Sequence, residues 1–294
     1  MNRKDHVDTT GAIALTVFAL HLAFNQVVIK VTNEGFGPIF SAGARSFGAM
    51  LVVVLWIYFR QKRLTLQRDS IKGGTLLGVL FAVEFMCLFS ALDFTSVSRI
   101  SIIFYSMPVW LALAAHFLLP GERLTSWRLV GLVLAMAGVA IAVADRSGDA
   151  SLLGDGFALI GAICWAGIAL TVRLSALSKV EPAEQLLWQL MVSAPLLLIA
   201  AYISGDIFRD PEMIHFAGMA FQIIAVASFG FLAWFWLMSV YPASGVASFS
   251  FLSPVFSVLL GWLLLREDVG ISIWIALSLV AVGIVLINRK PNSA

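Results

Sequence analysis

Hydrophobic positions in this chain gather into runs of spanning length, separated by short clusters of Gly, Pro or charge. The runs cover residues 11–31, 37–59, 71–91, 98–118, 126–144, 154–174, 182–203, 215–238, 244–264 and 271–288. A helix needs about 20 apolar residues to cross the hydrocarbon core of a bilayer, so the pattern predicts an all-α integral membrane protein of ten transmembrane helices. The narrowest break lies between the third and fourth runs, where Asp93 to Arg99 is the only polar interruption; Tyr241 to Gly245 marks the equivalent break later in the chain. Arg3 and Lys4 precede the first run in the manner of a signal peptide. That run is longer than an h-region of about 7–15 residues and lacks a small-x-small cleavage site at its end, so it is read as a helix.

Composition agrees with a membrane solvent. Of 294 residues, 60% are hydrophobic and 12% charged, against about 25% charged in soluble proteins, and the mean hydropathy is +0.95. The net charge of +2 gives no case for nucleic acid, since no basic block interleaved with aromatics is present. Placement of the charge is more informative. With the N-terminus inside, one side collects Arg3, Lys4, Arg60, Lys62, Arg63, Arg68, Lys72, Arg123, Arg128, Arg173, Lys179, Arg289 and Lys290, and the other only Lys30, Arg99, Arg146, Arg209 and Arg266. The positive-inside rule then predicts that both termini are cytoplasmic.

The halves 1–145 and 146–294 superpose by their punctuation. Gly11 answers Gly154, Lys30 answers Arg173, Pro38 answers Pro182, Pro108 answers Pro254, Glu122 answers Glu267 and Gly138 answers Gly283, at offsets of 143 to 146 residues. Five crossings is an odd number, so the second five-helix repeat enters the membrane inverted. Such repeats build alternating-access carriers with a site near the midplane, and the two halves are expected to form one integrated transport domain.

Residues Asn25 to Lys30 (NQVVIK), Pro38 to Arg45 (P-x6-R), Ala91 to Ser98 (ALDFTSVS), Met107-Pro108-Val109, Gly121-Glu122-Arg123-Leu124 and Gly131-x6-Gly138 form an ordered motif set. Ser253-Pro254-Val255, Leu265-Arg266-Glu267 and Gly283 repeat part of it. On these motifs the chain resembles the EamA branch of the drug/metabolite transporter superfamily over nearly its whole length. The resemblance implies secondary transport of small organic solutes, often efflux of amino acids or drugs, through a cavity lined by helices one to four and six to nine, with helices five and ten peripheral. Within that family the chain looks most like bacterial inner-membrane exporters of aromatic amino acids, which also handle methyl viologen. Arg45 is answered in the second half by Gln189 and Gly131 by Ala276, which departs from a symmetric role for that arginine.

Two formal charges lie deep in apolar runs, Arg45 and Glu84, each about 10–12 Å below the outer surface at 1.5 Å rise per residue. Equal depth predicts an ion pair, read either as a structural bridge or as a site where Arg45 meets a substrate carboxylate and Glu84 couples to protons. His21 and Asn25 share one face of the first helix, as packing groups or as cavity groups. Phe81, Tyr105, Trp165 and Trp188, the last beside Gln189, are deep aromatics that either pack or stack on a flat or cationic solute. Trp56, Trp127 and Trp274 belong to the interfacial belts. Pro108 and Pro254 interrupt equivalent helices as candidate hinges, and Gly74, Gly78, Gly131 and Gly138 predict close helix contact.

No cofactor or metal is implied: Cys87 and Cys164 both lie in apolar runs, and no Cys/His cluster exists. An intramembrane enzyme lacks support, because His6, His21, His116 and His215 are scattered and no H-E-x-x-H occurs. A primary pump would need a phosphate loop, which is absent; a passive channel and efflux of drugs, organic cations or aliphatic metabolites stay open as alternatives. The expected partners are the lipid bilayer, a small-molecule substrate and protons as a coupling ion.

Overall fold

The computed structural model describes residues 7–60, 68–119, 122, 124–241, 246 and 249–288. Arg3, Lys4, His6, Lys62, Arg63, Gly121, Arg123, Pro242 to Gly245, Arg289 and Lys290, used in the sequence reading, lie outside the described residues. The described chain is helical, with one isolated antiparallel bridge between Phe36 and Phe208. Its helices are α1 (Thr9–Gly35), α2 (Pro38–Phe59), α3 (Ile71–Phe94), α4 (Val97–Phe104), α5 (Met107–Leu118), α6 (Ser126–Ala144), α7 (Leu152–Leu174), α8 (Pro182–Ser204), α9 (Met213–Phe221), α10 (Phe231–Val240), α11 (Leu252–Leu264) and α12 (Ile271–Asn288). Among the described residues nine helical stretches are long and apolar enough to cross a membrane, counting Val97–Leu118 and Met213–Val240 as one each; Leu252–Leu264 is a shorter apolar helix.

The punctuation read from sequence sets these ends. Asp8, Thr125 and Ser151 cap α1, α6 and α7 by accepting from the amides of Gly11, Arg128 and Gly154, satisfying donors that have no partner within the helix. Pro38 and Pro182 open α2 and α8, where a missing N–H costs nothing. The narrow break after Phe94 is a turn of Thr95 and Ser96, and Ser96 caps α4.

Two features modify the expected runs. The fourth crossing is broken at Tyr105 and Ser106, because Pro108 cannot donate to the preceding turn; the Ser106 hydroxyl donates instead to the Ile103 carbonyl at 2.6 Å. The eighth crossing is α9 and α10 joined by a nine-residue π-helix, Gln222–Gly230. In the ninth, Leu252–Leu264 is helical with Pro254 in its first turn and Phe249 and Ser250 in a turn before it, and Val246 further back is helical as well.

Packing runs α1 against α11 and α9, α2 against α8, α3 against α7 and α8, α4 against α11 and α7, α5 against α7, and α6 against α12. The largest apolar cluster draws on α1, α2, α3, α4, α7, α8, α11 and α12. Small residues let backbones approach, as the glycine spacing predicted. Gly74 and Gly78 receive Trp188 and Val192 of α8, while Gly131 and Gly138 face the Gly283 and Ala276 carbonyls of α12. A Cβ on Gly131 would stand 2.6 Å from the Gly283 carbonyl oxygen, a backbone atom that cannot swing aside. Gly131→Val is therefore expected to destabilise the α6/α12 pair by about 1–3 kcal/mol, the usual cost of overpacking, read as a lower thermal midpoint in detergent. A midpoint equal to that of the parent protein would show that the contact is dispensable.

Candidate functional site

The face on which α1 begins is called the terminal face below, and the opposite one the distal face. Between them the most expensive residues are Arg45 and Glu84, 3% and 4% exposed; a buried charge costs several kcal/mol unless compensated, about 2.5–3.5 on insertion scales. Helix α2 turns the Ser41, Arg45, Ser46 and Ala49 face inward against α8 and α3. The Arg45 guanidinium lies over the Phe85 ring, 4.0 Å from its centroid, and 5.8 Å from that of Phe89, while its Nε has no hydrogen-bond partner. Arg45 and Glu84 act on one another through charge, yet no hydrogen bond or ion pair joins them. The expected ion pair is thus not made: Arg45 lies on aromatic faces, and Glu84 acts on it only through charge at longer range.

Aromatic rings extend from this pair. Phe81 packs on Phe85 at 4.5 Å and reaches Phe231 at 6.3 Å. Trp165 stacks on Phe104 at 5.1 Å and meets Tyr105 edge-on at 5.9 Å. Tyr105 occupies the break between α4 and α5, and its hydroxyl faces Gln26, Ser253 and Ser257. Gln26 accepts from the Ser101 hydroxyl at 2.7 Å, leaving its Nε2 and the Ser257 hydroxyl unpartnered. Apart from Tyr105, this polar seam of α1, α4 and α11 was not among the sequence candidates. Its one signal was a second amide beside Asn25 in the middle of an apolar run.

Other candidates stand apart. His21 donates from Nε2 to the Ala225 carbonyl at 3.1 Å, inside the π-helix, and packs on Phe221. Asn25 is 6% exposed and its Oδ1 is unpartnered. Trp188 fills the notch at Gly74 with its indole Nε1 unpartnered, and Gln189 bonds only weakly within its own helix, to the Gln185 carbonyl at 3.4 Å. Pro108 and Pro254 each stand in the first turn of a helix, α5 and α11.

On the distal face, long-range polar contacts tie the helices together. Asn33 donates to the Phe89 carbonyl at 2.9 Å and Gln222 to the Thr32 hydroxyl at 3.0 Å. Arg209 binds Asp206, Asp93 at 2.7 Å and the Asn33 carbonyl; those carboxylates, Asp206 first, raise its pKa. Arg99 and Asp155 form a buried salt bridge of 2.6 Å. Asp145 accepts from Ser147 and Ser272, which hold its carboxyl at about 2. On the terminal face Arg173 binds Glu122 and holds its pKa down, and a crevice of about 460 Å³ opens between α3 and α7 at Lys72, Leu76, Gly167 and Thr171. Among the described residues no group of His, Cys, Asp or Glu could hold a metal ion.

The model of the EamA-like transporter family matches residues 9–144 and 152–289. The chain is 24% identical to the uncharacterized transporter YoaV of Bacillus subtilis over 93% of its own length and 94% of that protein's. It is 22% identical to the uncharacterized inner membrane transporter YedA of Escherichia coli K12, covering 92% and 89%. A probable amino-acid metabolite efflux pump of Escherichia coli K12 is 26% identical, covering 91% and 89%. One solved crystal structure shares the fold with a TM-score of 0.65 at 20% identity, over 95% of this chain and 96% of that one.

Proposed function

The chain belongs to the EamA-like transporter family, and from that premise we propose that it is an alternating-access secondary exporter of amino acids, aromatic ones favoured. The observation that carries this reading is Arg45. A guanidinium 3% exposed, laid on two phenylalanine rings, with no carboxylate bound to it, is a cation kept for an anionic group that is not part of the chain. The substrate carboxylate takes that place, its ring lies along Phe81, Phe85, Trp165 and Tyr105, and Glu84 is the group through which its ammonium or a proton gradient acts. The relative named as an amino-acid metabolite efflux pump supports the substrate class. A second reading, efflux of flat organic cations, draws on the same rings with Glu84.

The transport cycle rests on two inverted repeats. The twofold match of the family model supports them, and so does the packing. Exchanging the halves turns the α1/α11 contact into that of α7 with α4 and α5, and the α3/α7 contact into α1/α9. Meanwhile α2/α8, α4/α11 and α6/α12 map onto themselves. With both termini cytoplasmic, as the lysine and arginine distribution favours, the polar ties of the distal face close the outside and the terminal crevice lies inside.

Counterflow in proteoliposomes tests the reading, with Phe, Tyr, Trp, Thr, homoserine and methyl viologen, each with and without a pH gradient. Unlabelled Trp inside is expected to accelerate entry of labelled Phe, and Phe, Tyr and Trp to outcompete Thr and homoserine. Uptake indifferent to internal solute would mean a channel, and equal competition by aliphatic solutes would remove the aromatic wall from the account.

A further inference from the structure

Glu122 and Glu267 hold matching places in the two halves, and so do Lys30 and Arg173, but the four residues are engaged differently. On the terminal face Glu122 is bound by Arg173. On the distal face Glu267 accepts from the backbone amides of Val97 at 2.6 Å and Ser98 at 2.9 Å and from the Ser98 hydroxyl, so it caps α4 from a distance of 169 and 170 residues in sequence. Lys30 meanwhile donates to the carbonyls of Leu92 at 3.0 Å and Thr95 at 2.7 Å. Thr95 is only two residues from Val97, yet no ion pair joins Lys30 to Glu267.

The chain is shaped to put Glu267 there. Arg266 takes a left-handed backbone, φ 55°, a conformation that costs a residue with a Cβ about 1 kcal/mol or more and persists only where the surroundings hold it. It turns Glu267 back so that its amide meets the Gly261 carbonyl at 3.2 Å. Gly261 leaves the room: a Cβ on it would lie 2.5 Å from Glu267 Oε2 and 2.9 Å from Ser98 Oγ.

We propose that Glu267 is a partner-exchanging latch: it caps α4 while the distal face is closed and passes to Lys30 when that face opens, as Glu122 is already passed to Arg173 at the terminal face. This deepens the carrier reading and rests on it for the existence of a second state. The physical need is charge balance. When α4 moves away, its first amides are taken by entering water, but a carboxylate losing three donors in a partly buried place must regain a cation. Exchanging charge-assisted hydrogen bonds for an ion pair keeps the two states close in free energy, which a cycling carrier requires.

A water-soluble carbodiimide joins a lysine and a carboxylate in contact as an isopeptide, with loss of water taken up by the reagent, and mass spectrometry of the digested protein reads the Lys30–Glu267 product directly. Gly261→Ala fills the seat of the carboxylate with atoms whose nearest neighbours are Glu267 and Ser98, and is expected to raise that product about fivefold or more through a population shift. Ser98→Ala, which removes one donor without adding bulk, should shift it the same way by less, and Lys30→Arg should abolish it. If Gly261→Ala and Ser98→Ala proteins that elute as single species give no more Lys30–Glu267 product than the parent, the exchange is wrong. Absent counterflow in the parent protein would sink the carrier reading separately, because the isopeptide reports contact rather than flux.

Discussion

Arg45→Ala is expected to lower export of Phe, Tyr and Trp by about thirtyfold or more while leaving methyl viologen flux within about twofold of the parent. Removing one partner of a buried, charge-assisted contact costs about 2–5 kcal/mol, and about 1.4 kcal/mol is a factor of ten. Arg45→Lys should recover little. An ammonium keeps the charge but loses the planar fork that grips both carboxylate oxygens, and it lies less well on the Phe85 ring, 4.0 Å away in this structure. Methyl viologen carries no carboxylate, so its flux separates substrate binding from general damage. The competing account makes Arg45 a packing element between α2 and α3. It predicts equal loss for every solute together with poor yield of folded protein, since Glu84 would be left as an uncompensated buried charge. Flux of each solute by the Arg45→Ala protein, normalised to the amount reconstituted, decides between them.

The long elements were legible because one physical quantity, unbroken apolar length, decides both whether a segment enters the bilayer and where it leaves. The runs 126–144, 182–203 and 271–288 became Ser126–Ala144, Pro182–Ser204 and Ile271–Asn288. Arg45 and Glu84 were legible for the same reason in reverse, as charges that no apolar run carries without cause. Their partners were not. Depth along a helix axis can be counted from sequence, but azimuth cannot. Equal depth therefore suggested an ion pair where α3 in fact turns Phe85 toward Arg45. The convergence of Gln26, Ser253 and Ser257 on Tyr105 escaped because uncharged polar residues are common in membrane helices, and only the fold reveals that these converge. Nor does any periodicity announce the π-helix at Gln222–Gly230, which alters the registry of one turn and supplies the carbonyl that His21 binds. Glu267 was visible only as a repeat marker. Its role depends on a backbone reversal at Arg266 that composition does not encode.

Arg99 is the instructive failure of loop counting, and replacing it carries the largest expected effect on stability. By sequence it sits in the one polar break between two apolar runs and reads as a surface charge. In the fold it is 3% exposed. Its guanidinium donates through Nε and Nη2 to both oxygens of Asp155, at 2.6 and 2.7 Å, and through Nη1 and Nη2 to the Asp145 and Val143 carbonyls at 2.5 and 3.0 Å. One side chain thus clamps α4 to the first turn of α7 and satisfies carbonyls at the end of α6 that have no donor within their own helix. Arg99→Ala strands the Asp155 carboxylate, also 4% exposed, and is expected to cost about 3–5 kcal/mol, the usual penalty for breaking a buried pair from one side. Arg146, 4.0 Å from the same carboxylate but half exposed, can replace only a fraction of that. Arg99→Lys should fare nearly as badly, because a single ammonium cannot span four acceptors. Asp155→Asn should cost less than Arg99→Ala, since the amide still accepts one hydrogen bond while the α6 carbonyls keep Arg99. The double change Arg99→Met with Asp155→Leu should be milder than the sum of its parts, as apolar replacement removes both desolvation penalties together. Thermal unfolding of the parent, Arg99→Met, Asp155→Leu and doubly changed proteins in one detergent measures the coupling, and simple additivity would show that Arg99 and Asp155 act independently rather than as the clamp that holds α4, α6 and α7 at the distal face.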